Sequence, residues 1–318
     1  MTRVSTGYQR LAVSTAVATF ALIIVGGVVR VSDSGLGCGP AGSGFSGWPF
    51  CNGDLVPGVN LNSIIEYTHR VLAVVVGLMI LALFVQAFRR YRFLLAPTGA
   101  LLALVAVQGA LGGLTVEENL EEAYVAAHLG LAMLLLGLLL YIVRAVRGSE
   151  PVDGGPRLRG LAIAAAGAVL VTIVAGGYMA GTQNYGRADY QLGDGAHHAC
   201  GKEFPSCNGD FMPFGQSRLV DIHLTHRVFM YLASILVVAL VVVALRRRVA
   251  VRYAWALAAL LALQILVGAL NVWLDEYELL ILAHLTLGTL LWATTLGMAL
   301  ALSPAAERSP RRAKAVAA

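Results

Sequence analysis

Apolar residues in this chain neither alternate nor form a narrow stripe; they run on. Eight stretches, at about 8–30, 63–88, 93–115, 122–144, 158–180, 219–245, 252–273 and 279–302, approach the roughly 20 apolar residues that a helix needs to cross a hydrocarbon core. The pattern predicts an all-α, polytopic membrane protein with eight transmembrane helices. Two longer polar segments, 31–62 and 181–218, read as loops. The first run has no short apolar core with a small-residue cleavage site and continues through Gly26-Gly27 into Val28-Val29, so it reads as a span and not a signal peptide.

Composition agrees: 58% of residues are apolar and 13% charged, against about 25% charged in a soluble domain. That excludes a soluble globular enzyme, a disordered chain, a small disulfide scaffold and a nucleic-acid binder. The net charge of +5 comes from basic residues placed in joints between spans. Arg3 and Arg10, then Arg89, Arg90 and Arg92, then Arg144, Arg147, Arg157 and Arg159, then Arg246, Arg247, Arg248 and Arg252, and Arg308, Arg311, Arg312 and Lys314 fall on one side. The other side carries Arg30, Arg187, Lys202 and Arg218 with the acidic groups Glu117, Glu118, Glu121, Glu122 and Asp275, Glu276, Glu278. By the positive-inside rule both termini are cytoplasmic and the two long loops face outward. With no Arg- and Ser-rich presequence, a bacterial cytoplasmic membrane is the simplest address. Residues 303–318 read as a disordered cytoplasmic tail.

All four cysteines lie in the outward loops, Cys38 and Cys51 in the first, Cys200 and Cys207 in the second. One pair per loop on the oxidising side suggests the disulfides Cys38–Cys51 and Cys200–Cys207. A zinc site fits less well, because the spacings do not match compact knuckles and no fourth ligand completes either set.

The chain repeats at an offset of 156–157 residues. Cys51-Asn52-Gly53-Asp54 returns as Cys207-Asn208-Gly209-Asp210, Thr68-His69-Arg70 as Thr225-His226-Arg227, Gln108 as Gln264, and Ala127-His128-Leu129 as Ala283-His284-Leu285. Gly26-Gly27 has its counterpart in Gly176-Gly177. Each half, 1–147 and 148–302, holds four helices, an even number that keeps both in one orientation. The expected architecture is two parallel-repeat four-helix bundles related by a pseudo-twofold axis along the membrane normal.

Four of the seven histidines belong to the repeat: His69, His128, His226 and His284. An ionisable residue inside a span is costly and marks a functional site by default, although a lone histidine also serves as interhelical glue. Two per half, at matched positions on the second and fourth helices, favour ligation. Both helices enter from the outer side, which puts His69 roughly 9 Å along its helix and His128 at similar depth. Two facing imidazoles in a four-helix bundle suit the axial positions of a haem, whereas a bare metal ion needs more ligands. Arg70 and Arg227 follow their histidines at the outer interface and read either as propionate partners or as interfacial anchors.

The halves differ at one position. Glu66, three residues before His69, is replaced by His223 before His226. Glu66 reads as a proton donor or acceptor beside one haem, or as a charge paired with an arginine. His223 reads as a spare ligand, a propionate partner or an interfacial polar group. His197 and His198, in the second loop, read as solvated.

Eight spans, EYTHR at 66–70, HLTHR at 223–227, histidines at 128 and 284 and a cysteine pair in each outer loop together resemble the haem A synthase family. The resemblance covers essentially the whole chain before the tail. It implies an oxidoreductase acting on a CH3 group, converting haem O to haem A for terminal oxidases. Two successive hydroxylations of the C8 methyl would give an alcohol and then a gem-diol that dehydrates to the formyl. It also implies a substrate site in the N-terminal half, with His69 and His128 at the haem O iron, Arg70 nearby and Glu66 as the essential carboxylate. A resident haem b cofactor would be held in the C-terminal half by His226 and His284, with Arg227. Implied partners are haem O synthase, terminal oxidase assembly factors and an unidentified electron donor or acceptor. The family links its first-loop cysteines to catalysis or haem delivery. Here they are widely spaced in a Gly-rich segment, 35–47, and a disulfide closing the loop as a lid is the expectation. Methyl oxidation usually needs an open iron position. Two bound histidines leave none, so either one departs or electrons leave through the macrocycle and water supplies the oxygen.

The rival from another class is a non-catalytic di-haem b-type electron-transfer cytochrome. Two haems near one leaflet suit transmembrane transfer poorly, and the Glu66/His223 difference has no purpose in it. A haem transporter with twin sites is a third reading, disfavoured by fixed axial ligation.

Overall fold

A computed structural model describes residues 4–148, 152–182, 195–274 and 278–303. Among them are eight long helices: α1 (Thr6–Val31), α2 (Leu61–Arg90), α3 (Leu95–Glu117), α4 (Glu122–Arg147), α5 (Gly155–Gly181), α6 (Arg218–Arg247), α7 (Val251–Trp273) and α8 (Glu278–Ala301). All eight are long and apolar enough to span a membrane, and the protein is a multi-pass membrane protein. Among the described residues, the only two-stranded sheet is a parallel pair of two-residue strands, β1 (Val152–Asp153) and β2 (Leu302–Ser303). Arg187, Asp275, Glu276 and the tail beyond 303, with its basic residues, lie outside the described residues.

The helices outrun the apolar stretches by up to three residues because polar residues cap and extend them. Ser5, Asn60 and Ser217 accept backbone N–H bonds at the starts of α1, α2 and α6. The last turns of α2, α4 and α6 carry Arg89 and Arg90, Arg144 and Arg147, and Arg246 and Arg247, where cations complement the helix dipole.

Helices α1–α4 close into one ring of neighbours and α5–α8 into another; α1 and α4 meet α5 and α8 between the rings. In lipid, helices associate by close packing and interhelical bonds more than by leaving water. Small residues therefore line the contacts: Ala12 and Ala16 in α1, Ala162, Ala165 and Ala166 in α5. Buried Thr15, Thr19, Thr98, Thr289 and Thr295 return their hydroxyls to the carbonyl four residues back, which satisfies these five O–H groups inside their own helices.

The boundary between the rings is glycine-lined. A methyl at Gly27 would overlap Leu285 of α8, and one at Gly177 would lie 3.0 Å from Leu129 of α4. Arg218 of α6 pairs with Glu122 of α4 across the same boundary, and Tyr178 of α5 reaches that carboxylate at 3.5 Å.

Both long loops are closed by disulfides, Cys38–Cys51 and Cys200–Cys207, as expected. Each second cysteine opens a two-residue hairpin. Cys51 exchanges backbone bonds with Asp54 at 2.8 and 3.1 Å, and Cys207 with Asp210 at the same distances. The turn residues Asn52 (φ 54°) and Gly53 (φ 87°), and Asn208 (φ 52°) and Gly209 (φ 89°), take the positive φ that such hairpins demand. That requirement explains why Cys-Asn-Gly-Asp recurs.

Candidate functional site

The four repeat histidines lie in α2, α4, α6 and α8. His69 and His226 each stand eight residues into their helix, about 12 Å along it, deeper than the sequence suggested because α2 begins at Leu61. His128 and His284 each stand six residues in, about 9 Å. His69 and His128 are near enough to interact electrostatically, as are His226 and His284. The structure therefore brings together the expected partners within each half.

Each imidazole rests on a glycine of a neighbouring helix. A Cβ built on Gly26 (α1) would lie 3.2 Å from the His69 Cε1, on Gly112 (α3) 3.1 Å from that of His128, on Gly176 (α5) 3.1 Å from that of His226, and on Gly268 (α7) 2.9 Å from that of His284. A Cβ closer than about 3.4 Å forces something to move, so glycine here is a spatial requirement. Gly112 and Gly268 were not singled out from the sequence. The signal was present, since each lies four residues after a repeated glutamine, Gln108 or Gln264, on the same helix face.

Those glutamines reach the same rings. The Gln108 Nε2 lies 3.1 Å from the His128 Nε2 and 3.1 Å from its main-chain oxygen; the Gln264 Nε2 lies 3.1 Å from the His284 Nε2. The His226 ring is held differently: its Nδ1 donates to the Thr172 carbonyl at 3.1 Å, leaving Nε2 as the lone-pair nitrogen. The Nδ1 atoms of His69 and His128 and the Oε1 atoms of both glutamines are buried with no partner among the described residues.

Above the histidines the loops are pinned to the helices. The Glu66 carboxylate, 4% exposed, accepts from the Cys38 N–H at 2.8 Å and pairs with Arg70. Arg70 also donates to the carbonyls of Gly47 (2.6 Å) and Phe50 (2.9 Å). In the second half His223, buried, uses Nδ1 to bond the Ala196 carbonyl at 2.7 Å. Arg227 donates to the carbonyls of Glu203 (2.8 Å), Ser206 (2.8 Å) and Pro205 (3.2 Å), and its Nε is buried without a partner among the described residues. Both arginines thus bind loop backbone. The Glu66/His223 difference has a local cause as well: the first loop offers an N–H at this point and the second a carbonyl.

His197 corrects the sequence reading. It is half-buried and not solvated, with Nδ1 shielded, and lies within electrostatic reach of His223, His226, His198 and Arg30. Burial, reinforced by those neighbours, holds its pKa well below the ordinary histidine value. It caps the second histidine pair from the loop side.

The donor set decides which group fits. No cluster of three or more His, Cys, Asp or Glu able to hold a metal ion occurs among the described residues. Two imidazoles from facing helices, each backed by a glycine, would suit a haem iron in either half, and in the second half the His226 tautomer is also fixed by a main-chain carbonyl. The residues fit the group in both halves.

Fold and site together define a class: an eight-helix membrane protein with a buried histidine pair under each of two disulfide-closed loops. The chain belongs to the family described as cytochrome oxidase assembly protein, which matches residues 58–296. Its relatives there carry a more particular name. The heme A synthase of Symbiobacterium thermophilum is 31% identical over 78% of this chain and 80% of its own length. That of Halalkalibacterium halodurans is 29% identical over 73% and 74%, and that of Shouchella clausii 28% over 74% and 75%.

Proposed function

We propose that this chain oxidises the C8 methyl of haem O to a formyl group, giving haem A by two successive hydroxylations. The observation that carries the reading is the pair of imidazoles in each half, set on glycines at matched depths, in a chain whose relatives are heme A synthases. A di-haem carrier accounts for the histidines alone; the buried carboxylate beside only one pair fits a substrate site in the N-terminal half.

In this reading residues 1–147 form the substrate half and 148–302 the cofactor half, related by a pseudo-twofold axis along the membrane normal. His69 and His128 take the iron of haem O, and His226 and His284 hold haem b, which supplies a one-electron redox centre when bound. Glu66 lies at the loop edge of the substrate site and receives protons released as each hydroxylation, with water supplying the oxygen, passes two electrons to the unidentified acceptor. Its bonds to Cys38 N–H and Arg70 hold the carboxylate in place for that transfer. Arg70 and Arg227 keep the loops down over the sites and exclude water; the spare Arg227 Nε is the donor left for a propionate. The loops face the extracytoplasmic side of a bacterial cytoplasmic membrane and both termini the cytoplasm. Haem O arrives from its synthase, and haem A leaves toward terminal oxidase assembly factors.

The test is to purify the chain from a host that makes haem O, extract the haems and identify them by chromatography and mass. Haem b together with haem O, its hydroxylated form or haem A is expected. Haem b alone at two per chain would replace this reading with the electron-transfer cytochrome.

A further inference from the structure

We infer that the tips of the two Cys-Asn-Gly-Asp hairpins, Leu55-Val56 in the first loop and Phe211 in the second, are inserted into lipid on the loop side of the membrane. Both disulfide-closed loops are then held at the bilayer surface and not in water, an arrangement independent of the proposed reaction.

Helix length locates that surface. α2 and α6 have 30 residues each, which at 1.5 Å per residue is about 45 Å against a hydrocarbon core of about 30 Å. Their uncharged stretches match: residues 71–88 lie between Arg70 and Arg89, and residues 228–245 between Arg227 and Arg246. Each stretch is about 27 Å long, close to the core thickness. A charge inside hydrocarbon is costly, so the core ends near Arg70 and Arg227. The first turns of both helices therefore rise roughly 14 Å further, in and above the headgroup layer.

The second loop reaches back down to that edge. The Phe211 ring lies 6.4 Å from that of Tyr231, centroid to centroid. Tyr231 stands one turn, about 6 Å, on the hydrocarbon side of Arg227, and a long helical side chain leans toward the helix N-terminus, here toward the edge. Phe204 of the same loop lies 6.4 Å from the ring of Trp273, the last residue of α7, where an amphipathic indole suits the interface. Leu55 follows Cys51 at the same distance along the chain as Phe211 follows Cys207. Leu55 is 74% exposed, Val56 68% and Phe211 70%. Apolar tips this bare, rimmed by exposed Asn52 and Asp54 or Asn208 and Asp210, mark a contact surface. Lipid is its occupant for two reasons. The exposed apolar surface continues along the helices below, through Leu61, Ile64 and Val71 on α2 and Val228, Leu232 and Ile235 on α6. The tip is also built into both loops, and a bilayer surrounds the protein and meets both, whereas a protein partner docks on one side.

The test uses the full chain in phosphatidylcholine nanodiscs, one chain per disc. The photocrosslinking residue p-benzoylphenylalanine replaces Leu55 or Phe211, with Val56 as a second position in the first loop should the Leu55 variant fail to fold. Ile235, on the lipid face of α6, takes the same probe as the reference. After illumination the intact mass should rise by one lipid at both tips, in a yield comparable with that at Ile235. No lipid adduct at either tip, while Ile235 is labelled, places the tips in water and overturns the inference. Repeated in native membranes, crosslinks from the tips to a second chain or to another protein in place of lipid also overturn it.

Discussion

Adding a single methyl at Gly268 tests whether the glycines beneath the imidazoles are functional supports. The alanine Cβ would lie 2.9 Å from the His284 Cε1, about 0.5 Å inside the 3.4 Å where ordinary contact begins. Two terms oppose each other. Replacing a helical glycine by alanine gains about 1 kcal/mol of backbone entropy, whereas overpacking a buried contact costs about 1–3 kcal/mol. Gly109, about one turn before Gly112 on the matching helix of the other half, has nothing within 4 Å, so there only the gain applies. Gly109→Ala should raise the thermal midpoint of the purified protein, a stabilisation of ~0.5–1 kcal/mol. Gly268→Ala should lower it, by up to ~2 kcal/mol net, and should also push His284 off its seat. The assay is thermal unfolding in detergent, paired with haem b content and the low-spin signal of the oxidised protein. If Gly268→Ala matches Gly109→Ala in stability and keeps the wild-type haem signal, the glycine seat is irrelevant to ligation and the argument fails.

Three other outcomes follow from the loop contacts. Glu66→Gln keeps an acceptor for the Cys38 N–H but loses the charge facing Arg70; haem content should hold while haem O conversion slows by about 10²-fold or more, and conversion at the wild-type rate would remove the carboxylate from the mechanism. Arg227→Ala strips donors from three loop carbonyls, a local loss of about 1.5–3 kcal/mol, so proteolysis near 203–206 should accelerate; Arg227→Lys should restore only part, since an ammonium lacks the planar fork. At Gly37 an added Cβ would fall 2.7 Å from the Ser63 backbone nitrogen, with no flexible side chain to yield, so Gly37→Ala should lift the first loop and speed reduction of Cys38–Cys51 by a small thiol; an unchanged rate would show that the loop has room.

What the sequence revealed, and what it hid, divides by range. Helix number, the paired cysteines and the histidine repeat were legible because each depends on composition or local spacing: hydrocarbon thickness fixes span length, and Asn-Gly hairpins require their own residues. The glycine seats depend on which helices become neighbours and at what rotation, information no single span contains. Gln108 and Gln264 showed up as repeat markers, but their role required the register of α3 against α4 and α7 against α8. The arginines exposed the same limit. From sequence they lay at an interface; only the loop path showed carbonyls of Gly47, Phe50, Glu203 and Ser206 waiting for them. His197 was misjudged because loop membership suggests exposure, while the disulfide-closed loop folds back over α6.

The adjacent glycines of α1 and α5 face opposite ways. Gly26 supports His69 of its own half, and Gly27 receives Leu285, the neighbour of His284; Gly176 supports His226, and Gly177 receives Leu129, the neighbour of His128. A single peptide unit is therefore the common wall of two rooms whose histidines lie far apart in the chain, His69 with His284 in one case and His226 with His128 in the other. When α8 shifts at Leu285, the strip of backbone it presses is the one on which His69 sits, and a shift of α4 at Leu129 is passed to His226 in the same way. The two bundles fold around separate histidine pairs, yet they cannot adjust the clearance around those pairs separately.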